Sequence, residues 1–129
     1  MKHLAIFNND LAEAILDGKK SIESRFSMSK IAPFGVISAG DIVYIKPAGK
    51  DIIGQFRVQK VIFYDGLSSQ DILDIKRVYG TQIAADEAFW ESKIKSKYGT
   101  LIFISESTRF LTSPIKFSKR DLRGWVVLD

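Results

Sequence analysis

Gly18-Lys19-Lys20-Ser21-Ile22-Glu23-Ser24-Arg25 joins a segment patterned as a helix to one patterned as a strand. Ahead of it, residues 2–8 (KHLAIFN) read as a short strand, and Asp10 and Glu13 have the spacing of a capping box. Leu11 with Ile15, and Ala12 with Leu16, form i, i+4 pairs, which predicts a helix of about two to three turns ending at Gly18. Gly18 suits the left-handed position past a helix C-terminus, and Lys19 and Lys20 then meet the negative end of the helix dipole. Behind the stretch, residues 20–28 alternate: Ile22, Ser24 and Phe26 point one way, Ser21, Glu23 and Arg25 the other. Glu23 and Arg25 stand about 7 Å apart along such a strand. Two readings follow: an exposed strand face whose Glu and Arg pair with neighbours, or a polar site floored by Lys20, Glu23 and Arg25.

Outward from there, residues 29–40 read as a loop through Pro33, Gly35 and Gly40. Asp41 to Lys46 begins a strand, Pro47-Ala48-Gly49-Lys50 turns it, and Asp51 to Phe63 returns. Gly54 inside the return strand marks a bulge or a close approach to the backbone. The period then changes. Ser68 with Asp71 makes a capping box, Ile72, Ile75 and Tyr79 share a face, and Gly80 is expected to end that helix. Ala84 to Tyr98 reads as a second helix with Phe89, Trp90, Ile94 and Tyr98 inward and Gly99 after it. Thr100 to Phe110 is a strand by pattern, Ser113 to Phe117 an extended piece, Ser118 to Arg123 one helical turn, and Trp125 to Leu128 a last strand. This order predicts one α+β domain over residues 1–129, its strands curling into a small barrel with flanking helices and a helical insertion.

Composition narrows the chemistry. The chain has 129 residues, no cysteine and a single histidine, His3. A disulfide framework, a thiolate zinc site and a cysteine nucleophile are excluded, and a Ser-His-Asp triad or multi-histidine metal site nearly so. Catalysis, if any, falls to carboxylates, lysine, hydroxyls and arginine, and neither metal nor cofactor is expected. The N-terminal stretch has no apolar run long enough for a signal peptide or membrane span, which suggests a cytoplasmic protein.

The formal charge of +4 is unevenly spread. Residues 1–64 carry nine basic and six acidic side chains, residues 65–92 two and six, and residues 93–129 eight and three. A basic body with an acidic helical segment points to a phosphate-bearing partner.

The run Gly18-Lys-Lys-Ser-Ile-Glu-Ser-Arg25, followed by Gly40-Asp41 at a strand start and by the Gly54 strand, resembles the ASCH domain of the PUA-like superfamily, whose hallmark is G-x-K-x-x-E-x-R. The resemblance spans nearly the whole chain in element order. It implies a compact β-barrel with flanking helices and a motif-lined cleft, proposed for that family as an RNA-binding site, with Lys20, Glu23 and Arg25 matching the motif. One subgroup is a bacterial amidohydrolase acting on acetylcytidine through a lysine, a threonine three residues later and a downstream glutamate. Lys20 matches its lysine, but Glu23 stands where that subgroup has threonine, and the counterpart of its glutamate would fall in or near the acidic helical segment that carries Asp71 and Asp74. Ribonuclease activity is also attributed to members of the family.

The resulting expectation is RNA or a nucleoside-like small molecule bound by Lys19, Lys20, Ser21, Glu23, Arg25, Arg109, Lys119 and Arg120. Lys20 and Arg25 would take phosphate or base acceptors, and Glu23 an exocyclic amine or ribose hydroxyl. As an enzyme, the chain would use Lys20 as general base or electrostatic stabiliser, Glu23 to orient water and Arg25 as oxyanion clamp. Lys116, Lys119, Arg120 and Arg123 interleave with Phe117 and Trp125 as a further nucleic-acid surface, while Lys93, Lys95 and Lys97 form either a solvated face or a phosphate ridge. Trp90 and Trp125 read first as core. A third reading makes the acidic helical segment a protein-docking surface.

Overall fold

The Gly18–Arg25 stretch lies at a sheet edge in the computed structural model, which describes residues 1–112 and 123–128. In chain order the elements are β1 (Lys2–Phe7), α1 (Asn9–Leu16), β2 (Ile22–Ser27), β3 (Ile42–Pro47), β4 (Gly54–Asp65), α2 (Ser69–Ile83), α3 (Glu87–Lys93), β5 (Tyr98–Arg109) and β6 (Trp125–Val127). One six-stranded sheet has the order β2-β5-β4-β3-β1-β6. β1 and β3 run parallel and the other neighbours antiparallel. The long β4–β5 pair shifts register between Gln55 and Arg57 and again between Val58 and Lys60. Such irregularities increase bend and twist, so the sheet curls into a half-barrel with three helices around it. No helix among the described residues is long and apolar enough to cross a membrane.

Several expectations hold at the level of single residues. Gly18 takes φ +80° behind α1, and Ser68 and Asp71 form both bonds of their capping box. At Gly54 an added Cβ would meet the Thr108 carbonyl oxygen at 2.5 Å, so a neighbouring backbone does approach there.

Others are corrected. The cap of α1 is Asn8, whose Oδ1 accepts from the Leu11 amide at 2.8 Å, and Asp10 falls inside the first turn. Gly80 does not stop α2. Ile83 is fully buried on the stripe begun by Ile72 and Ile75, and that packing outweighs the roughly 1 kcal/mol cost of a mid-helix glycine. Ala84, at φ 58°, ends the helix instead. The second helix is short: Asp86 caps it and it closes at Lys93. Tyr98 opens β5, and Gly99 is needed there because a Cβ would come within 2.8 Å of the Phe26 ring.

The largest correction concerns β2, whose charged face is not exposed. Glu23 is paired across from Ile102, which belongs to the barrel core with Phe7, Phe56 and Trp125. Ile22 and Phe26, on the opposite face, pack with Ile72, Ile75 and Trp90 beneath the helices. The curl of the sheet and the helical insertion therefore cover β2 on both sides.

Candidate functional site

The turn behind α1 sorts the two lysines. The amides of Lys19 and Lys20 both donate to the Ala14 carbonyl, at 2.9 and 3.0 Å, wrapping the chain so that Lys19 is exposed and Lys20 only 2% exposed. Lys20 Nζ donates to the Ile83 carbonyl at the end of α2 and lies 3.3 Å from Glu23 Oε1. Glu23 Oε1 also accepts from the Ser24 amide at 2.9 Å, while Oε2 accepts from Arg25 Nε at 3.0 Å. Burial alone would push the Glu23 carboxyl up, but Lys20, Arg25 and the Ser24 amide outweigh it and hold its pKa below the ordinary value.

Arg25 reaches from one sheet edge to the other. Its Nη2 donates to the Ile6 carbonyl of β1 at 2.9 Å and its Nη1 to Gly124, just before β6, at 3.2 Å. The guanidinium lies 5.0 Å from the Phe7 ring centroid and 5.2 Å from that of Trp125. Five donors in a planar fork suit this multiple contact, which an ammonium would not reproduce. Two cations share one carboxylate, so the cluster retains a net positive charge, and Arg25 is the member that meets solvent, its side chain 23% exposed.

Beside β2 runs a two-lobed cleft. One lobe, about 180 Å³, has Ile6, Phe7, Ser24 and Phe89 in its wall and Glu23 at its floor. The other, about 190 Å³, has Ile31, Ala32, Pro33 and Trp125. Arg25, Phe26 and Lys93 border both. Lys93 lies 5.7 Å over the Phe89 ring centroid and makes no ion pair among the described residues. Ser24 is buried, and its hydroxyl has no hydrogen-bond partner among the described residues.

The other predicted site residues disperse. Ser21 is exposed and its backbone ties α2 to β5, its amide donating to the Gln82 carbonyl and its carbonyl accepting from the Ile104 amide. Arg109, at the far end of β5, pairs with Glu13 of α1 rather than entering the cleft. Asp71 caps α2 and, with Asp74, lines a separate depression of about 520 Å³ beside Tyr64 and Tyr79. Lys95 and Lys97 are exposed, Trp90 is core, and Trp125 is both core and cleft wall. Lys116, Phe117, Lys119 and Arg120 lie outside the described residues.

The sequence reading missed three contributors. The Ile31–Pro33 loop offered no signal. Ser24 did, as a lone hydroxyl between Ile22 and Phe26 on an apolar face. A second polar chain was also missed: Trp125 Nε1 donates to His3 Nδ1 at 3.1 Å, and His3 Nε2 lies 2.8 Å from Asp41 Oδ2, with all three residues buried.

A curled six-stranded sheet, a helical insertion between its two long strands and a Lys-Glu-Arg cluster at one edge define an α+β half-barrel of PUA-like type. More narrowly, it is the fold of the ASCH domain. The ASCH protein of Zymomonas mobilis shares it at a TM-score of 0.66 and 15% identity, over 84% of this chain and 69% of that one. A serine-to-alanine variant of that protein gives 0.75 at 15% identity, over 99% and 88%. A protein of Enterococcus faecalis V583 gives 0.52 at 13% identity, over 91% and 86%. No protein-family model and no curated protein sequence matches the chain.

Proposed function

We propose that the chain is an RNA- or nucleotide-binding module whose ligand lies in the cleft beside β2, with Arg25 and Lys93 as its phosphate-facing cations. The observation that carries this reading is the positive charge left over when Lys20 and Arg25 share Glu23, presented by Arg25 in an aromatic wall next to Lys93. Cations beside Phe89 and Trp125 suit a polyanion whose bases stack. Hydrolysis is less well supported: the Lys20 side chain is 1% exposed, and its ammonium is engaged by Ile83 and Glu23.

The test is single-stranded RNA titrated by fluorescence anisotropy across a salt series. Two phosphate contacts give a slope of log K against log salt of about −1.4, at about −0.7 per contact on single strands. Lys93→Glu is expected to remove about half of that slope, and affinity independent of salt would sink the proposal.

A further inference from the structure

The two lobes are each smaller than the roughly 300 Å³ at which small-molecule pockets begin, and together they exceed it. A ligand that uses this cleft well therefore spans both. The cationic side chains that border the cleft, Arg25 and Lys93, stand where the lobes meet, while Ile6, Phe7 and Phe89 on one side, and Ile31, Pro33 and Trp125 on the other, are apolar or aromatic. The matching occupant has two flat, stackable ends joined by one anionic link. A mononucleotide carries its phosphate at an end; a dinucleotide step carries it in the middle.

Neither lobe offers an accessible side-chain hydroxyl to a base edge. The Ser24 hydroxyl is buried on the face of β2 that it shares with Ile22 and Phe26, and the Ser27 hydroxyl donates to the Ser29 carbonyl at 2.7 Å. Contact with the bases falls to the apolar walls, with Phe89 in the first lobe and the exposed Ile31 side chain in the second.

We infer that the cleft takes two consecutive nucleotides of single-stranded RNA, the connecting phosphodiester at Arg25 and Lys93 and one base against the apolar wall of each lobe, without base selection; this rests on the RNA-binding reading above. The experiment titrates the full chain with nucleoside monophosphates, the dinucleoside monophosphates and a tetranucleotide RNA. The dinucleoside monophosphates bind about tenfold or more tighter than the mononucleotides, the value of one further stacked base, and the tetranucleotide gains little beyond that. Ile31→Asp weakens the dinucleotide and leaves the mononucleotide nearly untouched. If the tetranucleotide binds while the dinucleotide is no tighter than the mononucleotide, the two-lobe assignment is overturned and RNA binding stands. If no RNA binds at any length, both fall.

Discussion

Lys20 donates its ammonium to the carbonyl oxygen of Ile83, a residue 63 positions later in the chain. Ile83 ends α2, where helix carbonyls lack intrahelical partners and the dipole is negative, so a cation from another element completes that terminus. Glu23 couples Lys20 to Arg25, and Arg25 fastens β2 to Ile6 and Gly124 across the open side of the half-barrel. The three charged motif residues thus hold together the insertion, one sheet edge and the opposite edge. Glu23 and Arg25 also line the cleft, and Lys20 does not.

Lys20→Met is accordingly a stability variant. It leaves Glu23 with one cation and Ile83 without its donor, and breaking a buried pair in this way costs about 3 kcal/mol. At a few degrees per kcal/mol for a chain of this size, the melting temperature falls by about 10 °C. Hydrogen exchange in the last turn of α2 is expected to accelerate more than exchange in β4. An unchanged melting temperature would return Lys20 to the pool of free catalytic groups.

Arg25→Lys is expected to lower stability by about 2 kcal/mol, because a single ammonium cannot serve Glu23, Ile6 and Gly124 together. The measurement is the urea midpoint at constant m-value. Equal midpoints for lysine and arginine would mean that charge alone, not the planar fork, closes the seam.

How far the sequence carried depended on whether a residue's role was local or set by the fold. Gly18, the Ser68–Asp71 box and the close approach at Gly54 were legible because cap and strand chemistry is written within a few positions. Gly80 and Tyr98 were misread because their fates are set at a distance: the buried Ile83 carries α2 onward, and pairing with Ser27 and Asp65 draws Tyr98 into β5. Likewise the alternation in β2 correctly put Glu23 and Arg25 on one face. Whether that face meets water depends on the curl of the sheet, which no local pattern records. The cleft was legible only through its motif floor, since Ile31–Pro33 and Lys93 reach it from elements far apart in the chain.

Acid is expected to unfold the protein through two buried carboxylates. Burial opposes the charged form of each, yet the pKa of Glu23 is lowered by Lys20 and Arg25, and that of Asp41 by His3, the Ser38 amide and the N-terminal amine. A lowered folded-state pKa gives stability that is fully present above the unfolded values, about 4.3 for Glu and 3.9 for Asp, and is lost as pH falls through the folded ones. Urea midpoints from these groups stay level from pH 7 to about 5 and drop below about pH 4. Glu23→Gln is less stable at pH 7 and has a shallower acid limb; parallel limbs for variant and parent would remove Glu23 from the account.

The chain Trp125–His3–Asp41 makes a prediction about a tautomer. An indole N–H only donates, so His3 Nδ1, which receives it, carries no proton, and the ring is neutral with its proton on Nε2 facing Asp41 Oδ2. Nitrogen-15 NMR at pH 7.5 is expected to show that single tautomer. The network crosses three neighbouring strands, since His3 lies in β1, Asp41 precedes β3 and Trp125 opens β6. His3→Phe fills the space but leaves the indole N–H without an acceptor and Asp41 Oδ2 with the Ser38 amide alone, costing about 2 kcal/mol. His3→Gln, which carries a donor and an acceptor on one amide, recovers part of that loss. If Phe and Gln prove equally stable, the site requires only volume, and the hydrogen bonds from Trp125 and to Asp41 contribute nothing.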